Sequence, residues 1–158
     1  MQYVFLDNYR GFKSTLLPLM NVNFFVGENS TGKTSLLALI NALSTSQFWF
    51  NSNTLFNAPD TQLASTFEDI VSVSSEDRTY VSVGCFNSSE SQKTGQKTHA
   101  AYLITFIDKD GMPEIAAFSY LTQEFQLHLR LDKWIIRYRS DSPYNLGKKT
   151  PKDFRQMF

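Results

Sequence analysis

The chain has 158 residues, with 15 basic and 15 acidic side chains and 15% aromatic residues. That length predicts one domain with a core of useful size, and the balanced charge gives no global drive toward nucleic acid or an anionic membrane surface. A lone cysteine excludes an internal disulfide, no apolar run approaches a membrane span, and the amino terminus lacks a signal peptide's layout, so a soluble cytoplasmic protein with no membrane partner is expected.

Tyr3-Val4-Phe5-Leu6 is an apolar run suited to a buried strand, Asn8-Tyr9-Arg10-Gly11 supplies a turn, and Phe12 to Leu17 returns as a second strand until Pro18 ends it. Val22–Val26 predicts a third short strand. Three strands so early argue against a simple β-α alternation, which needs a helix between successive parallel strands. The third strand leads into Gly27-Glu28-Asn29-Ser30-Thr31-Gly32-Lys33-Thr34, which fits G-x-x-x-x-G-K-[ST]. In such a loop the glycines let backbone N–H groups turn inward around phosphates, the Lys ammonium reaches the β/γ-phosphates, and the Thr hydroxyl ligates Mg²⁺. Leu36, Leu37, Leu39, Ile40 and Leu43 follow at helical spacing, so a helix N-terminus points its dipole at the same place. Because Lys33–Leu43 is apolar on nearly every side except Asn41, the helix is expected to lie between sheet layers. A strand, this loop and a helix together point to a bound nucleoside triphosphate.

Ser44–Asp60 is polar but carries Phe48, Trp49, Phe50, Leu55 and Phe56, which reads as a folded cap or an interface, with local core packing favoured, because leaving such side chains wet forgoes about 1.5–3 kcal/mol each. Phe67-Glu68-Asp69-Ile70-Val71 is a short apolar and acidic element before a Ser-rich turn. From Thr79 a β meander is expected. Val81, Val83 and Cys85 alternate with Tyr80, Ser82, Gly84 and Phe86; Asn87–Thr98 is a polar loop; Ala100–Ile107 and Pro113–Leu121 are strands around the turn Asp108-Lys109-Asp110-Gly111. Phe125, Leu127, Leu129 and Leu131 alternate with Gln126, His128 and Arg130, so one face is buried and the other wet, and Asp132-Lys133 turns the chain into Trp134–Arg139. The tail from Arg130 is basic, which reads as a solvated strand face and end in preference to a phosphate-contacting patch, and Ser140–Phe158 reads as a loop followed by the start of another element. His99 and His128 have no nearby Cys or carboxylate pair at metal-ligand spacing, so structural or exposed roles are expected, and no nucleophile elbow is present.

Three segments resemble the SMC-like, RecF-like and OLD-like branch of ABC-type ATPases, which includes AAA family ATPases of bacterial anti-phage systems. Leu6-Asp7-Asn8-Tyr9-Arg10-Gly11-Phe12-Lys13-Ser14 is similar to its amino-terminal "N-[FY]-[RK]-x-[FH]-[KR]-S" segment. Phe25 to Leu37 is similar to its "G-x-N-x-x-G-K-[ST]" loop and helix, and Glu68-Asp69-Ile70-Val71 to its "D-[LI]-[IV]" segment. The motifs span Met1–Phe86. The fold this implies is an α/β P-loop NTPase, the amino-terminal lobe of an ABC/SMC-like head, carrying an antiparallel β meander over residues 1–158 with the carboxy-terminal lobe absent. The cofactors implied are ATP and Mg²⁺. The candidate nucleotide-binding residues are Arg10, Gly27, Glu28, Asn29, Ser30, Thr31, Gly32, Lys33, Thr34 and Ser35, with Lys33 the catalytic charge-neutralising group and Thr34 the metal ligand. Tyr9 and Asp69 are candidates for lining the base.

The departures from that family are equally specific. No apolar run ending in Asp-Glu, no Leu-Ser-Gly-Gly segment and no switch His is found; Leu103 to Asp108 mimics the apolar run, but Lys109-Asp110-Gly111 continues it as a hairpin turn. The resemblance therefore implies a homodimer or larger ATPase assembly whose second subunit completes the site. A nuclease or toxin effector and nucleic acid are the partners it admits. The rival reading is a nucleotide-gated dimerisation module that regulates an effector with little hydrolysis.

Overall fold

A computed structural model describes residues 2–28, 32–45, 48, 66–90, 95, 97–131 and 135–140. Seven strands form one sheet: β1 (Gln2–Asp7), β2 (Thr15–Leu19), β3 (Tyr80–Glu90), β4 (Lys97–Lys109), β5 (Met112–Thr122), β6 (Phe125–Arg130) and β7 (Ile135–Ser140). The order is β2-β1-β3-β4-β5-β6-β7, and every adjacent pair is antiparallel. From β3 onward sequence neighbours are spatial neighbours, as the alternating pattern predicts. The amino-terminal hairpin docks on β3 through β1, in the register Val4↔Cys85 and Leu6↔Val83.

Period-two alternation decides which face is buried. Val4, Leu6, Val81, Val83, Ile104 and Phe106 lie on the side that receives α1 (Lys33–Leu43), which contributes Leu36, Leu39, Ala42 and Leu43 to the same core. Phe67, Ile70 and Val71 close it from the side, and Phe48 sets its ring edge-on to Phe106, with centroids 6.3 Å apart. Each large apolar side chain fully buried there contributes roughly 1.5–3 kcal/mol. Beyond the C-terminal end of α1 the helix no longer covers the sheet, leaving a groove of about 710 Å³ lined by Leu43, Cys85, Tyr102, Phe118, Tyr120 and Leu127 among others. On the opposite face Gly84 pairs with both Phe5 and Leu103. A Cβ at Gly84 would stand 2.4 Å from the Tyr102 carbonyl oxygen, so only glycine fits this close approach.

Several expectations are corrected. Val22–Val26 belongs to no strand, and Val22, Phe24 and Val26 are exposed. A strand needs a neighbour on its hydrogen-bonding edge, and no described strand stands beside this one. Pro18 does not end the second strand; it sits inside β2 opposite Tyr3, tolerated because β2 is an edge strand that can spare a donor. α1 is buried along one stripe and not all round, since Leu37 is 52% exposed. The expected polar loop Asn87–Thr98 is shorter than its composition suggested, because β3 and β4 run on to Glu90 and from Lys97, and Ser89 and Thr98 hydroxyls bond across the ladder at 2.8 Å. The alternation of helix and parallel strand of a typical α/β layout is absent among the described residues, which form an antiparallel sheet with one helix. Most of the predicted cap Ser44–Asp60 and the stretch after Ser140 lie outside the described residues. No helix among the described residues is long and apolar enough to cross a membrane.

Candidate nucleotide-binding site

The phosphate-loop motif begins at Gly27, and α1 starts at Lys33 after Gly32, whose φ of 88° is the left-handed conformation that glycine adopts without strain. Asn29, Ser30 and Thr31 lie outside the described residues. Gly32 has no side chain to cap the helix, and the first turn, Lys33-Thr34-Ser35-Leu36, contains no acid. Amide groups at that end therefore face outward with the positive end of the peptide dipoles. The Lys33 ammonium donates to the carbonyl oxygens of Gly27, at 2.9 Å, and Glu28, which folds its charge over the loop. Thr34 is exposed, and Ser35 is half-buried. An electropositive helix start, a cation folded over it and an accessible hydroxyl form a donor set that fits a polyphosphate with a hard divalent cation.

The amino-terminal turn is built against this helix start. Asn8 and Arg10 have φ of 59° and 49°, a left-handed geometry that Asn tolerates and that Arg10 holds only because the surroundings fix it. Asn8 is buried and donates through Nδ2 to the carbonyls of Asp77 and Tyr80, both at 2.6 Å, while its own carbonyl accepts from Ser72 N–H at 2.9 Å. Tyr9 pairs with Phe12 and Val71. Its hydroxyl lies 3.4 Å from the Ser35 carbonyl, and burial pushes its pKa up while the Arg10 charge opposes that shift. The Phe12 ring lies beside the loop, since a Cβ on Gly32 would be 3.6 Å from Phe12 Cε2. Arg10 donates its backbone N–H to Ile70 O at 2.8 Å, Nε to Asp69 O at 3.1 Å, and Nη1 to the Ser35 hydroxyl.

The three segments singled out in the sequence thus meet at one place: the Asn8–Phe12 turn, the first turn of α1, and Asp69–Val71. The details differ from expectation. Tyr9 is 1% exposed and part of the core, so its ring is not open to stack on a base. The Asp69 carboxylate is turned onto Thr66, accepting from its N–H and hydroxyl, both at 3.0 Å. Asn8 carries more hydrogen bonds than any sequence argument assigned it, and the T-x-x-D spacing of Thr66 and Asp69 was the available signal for the capped turn. Asp108 is exposed and accepts from Gly111 N–H at 2.8 Å, the hairpin-turn role its sequence context indicated. His128 is exposed with Nδ1 2.9 Å from the Ser119 hydroxyl, and His99 stacks on Phe86. No group of His, Cys, Asp and Glu suited to a metal is found among the described residues.

A family model for the AAA ATPase domain matches residues 1–151. No curated protein and no solved structure matches. The match spans nearly the whole sequence, including the phosphate loop and the turn packed against it, and the chain belongs to the AAA ATPase domain family, whose activity is nucleotide binding and ATP hydrolysis.

Proposed function

We propose that this chain is the ATP·Mg²⁺-binding lobe of an SMC-like, RecF-like ATPase, which hydrolyses ATP once a second subunit completes the site. The observation that carries the reading is the packing of the Asn8–Phe12 turn on the first turn of α1, with Arg10 on Ser35 and Phe12 beside Gly32. A generic phosphate loop has no need of an amino-terminal turn there.

In this reading Lys33, Arg10 and the α1 amides offset the charge on the transferring phosphoryl group, which is most of what phosphoryl transfer asks of a protein. The backbone of the Gly27–Gly32 motif would wrap the phosphates, and Thr34 would hold Mg²⁺, which neutralises phosphate oxygens when bound. The exposed side chains of Val22, Phe24 and Val26 support completion by another polypeptide segment, because apolar surface ahead of the loop suits burial against a partner. DNA transactions or anti-phage defence with a nuclease or toxin effector are the settings this branch suggests, by analogy of family alone.

The test is to measure MgATP binding and phosphate release on residues 1–158 alone. Binding with negligible turnover is expected. Turnover on the order of 1 s⁻¹ or more would mean that the chain carries its own water-positioning group and would contradict completion by a partner.

A further inference from the structure

We propose that Asp69 is a positioning residue for Arg10, acting through the turn Thr66–Val71; the inference rests on the reading of Arg10 as part of the nucleotide site. Thr66, Phe67, Glu68 and Asp69 form a single turn that the Asp69 carboxylate closes on Thr66. The Asp69 carboxylate accepts from Thr66 N–H and from its hydroxyl, both at 3.0 Å, and Asp69 N–H returns to Thr66 O at 3.3 Å. Ile70 and Val71 N–H both donate to Phe67 O at 3.1 Å, and Phe67 N–H is fastened to Gly111 O at 2.8 Å.

A turn closed in this way presents its carbonyl end in one direction, and that end carries partial negative charge. Arg10 occupies it. Asp69 O takes Arg10 Nε at 3.1 Å, Ile70 O takes Arg10 N–H at 2.8 Å, and Nη1 reaches across to Ser35 on α1. The guanidinium is thus aimed from one side by the capped turn and held at the helix start on the other. A long side chain gives up substantial rotamer entropy to stay in one pose, and the turn makes that pose the preferred one before ligand arrives. The Asp69 side chain is exposed and lies outside the apolar core, so truncating it opens no cavity. Its loss strips Thr66 N–H of its acceptor and loosens the spacing of the two carbonyls.

The measurement is MgATP affinity and melting temperature for the wild type, Arg10→Ala, Asp69→Ala, Asp69→Asn and the Arg10→Ala/Asp69→Ala double variant. Asp69→Ala should weaken ATP binding by about five- to tenfold in the wild-type background and less than about twofold when Arg10 is already alanine, while the melting temperature falls equally in both. Asp69→Asn, which keeps an acceptor oxygen for Thr66, should recover most of the affinity. Equal fold losses in both backgrounds would reduce Asp69 to a structural role and overturn the proposal. An Arg10→Ala variant with wild-type affinity would overturn it too, by leaving Asp69 nothing to position. Lys33→Ala run in parallel separates the two levels. If it loses ATP while the Arg10–Asp69 coupling is absent, only the positioning role fails; if it binds as the wild type does, the nucleotide reading fails with it.

Discussion

Two apolar-rich stretches flank β2 and have opposite fates. In the Asn8–Phe12 turn Tyr9 is 1% exposed, and the backbone is tied to Ile70 and Ser72, with the Asn8 amide on Asp77 and Tyr80. In Met20–Val26, Phe24 is 86% and Val26 90% exposed, although Phe25 between them packs on the core. Hydrophobicity does not separate them, since both contain large apolar side chains. What separates them is whether neighbours supply partners for the backbone. The turn closes on itself and on residues 66–80, whereas residues 20–26 pair with no described strand. The described residues finish the turn, and they leave the side chains of Val22, Phe24 and Val26 exposed ahead of the Gly27–Thr34 motif.

The largest test of that contrast is Asn8→Ala. It removes the hydrogen bonds from a buried amide to the Asp77 and Tyr80 carbonyls and puts alanine at a φ of 59°, so unfolding stability should fall by about 2–4 kcal/mol. Urea unfolding at neutral pH reads it; an unmoved midpoint would mean the turn is not anchored through Asn8.

A smaller effect is expected at Asp7, the residue before that turn. Burial raises its pKa, but hydrogen bonds from Ser14 N–H, the Tyr80 hydroxyl, the Ser14 hydroxyl and Asn8 N–H outweigh it, so the net value lies below the ordinary carboxylate range. A carboxylate with a depressed native pKa contributes stability above its unfolded pKa and loses it as pH falls through the native one. The wild type should therefore lose stability between about pH 5 and pH 2 more steeply than Asp7→Asn, by a margin kept modest by solvent screening. Parallel pH profiles in the two proteins would refute the hydrogen-bond account.

The smallest effect sharpens the other half of the comparison. Phe24→Lys should shift the stability of the chain alone by no more than about 0.5 kcal/mol, because the side chain it replaces is already in water. A loss of several kcal/mol would show that Phe24 is packed and that the segment is finished after all.

The meander was legible because alternation over Phe125–Leu129 dictates which face is buried, and because Asp110-Gly111, with φ of 55° and 81°, is turn chemistry readable from residue type. The start of α1 was legible too, since Gly32 ahead of the apolar Lys33–Leu43 pattern ties a residue type to a local geometry. Val22–Val26 was misread because period and composition report a segment's own preference, while strand formation depends on a neighbour that sequence does not place. Tyr9 was misread as a base-lining residue because burial of its ring follows from contacts with Phe12 and Val71, distant in sequence or formed only when the turn closes. The convergence of Arg10 with Ser35 lay beyond any single motif, since it joins residues 25 positions apart through a side chain.

The central claim is that this chain holds a nucleoside triphosphate at the Gly27–Thr34 loop, and titration of labelled ATP with Mg²⁺ against the wild type and Lys33→Ala tests it most directly. Lys33 folds its ammonium over the loop at Gly27 and Glu28, where a phosphate would compete for it. Its removal should weaken ATP binding by about 30- to 100-fold while leaving the melting temperature within a few degrees, as expected for loss of a charge-assisted contact on an exposed loop. Equal dissociation constants for the two proteins, with both folded, would contradict the account.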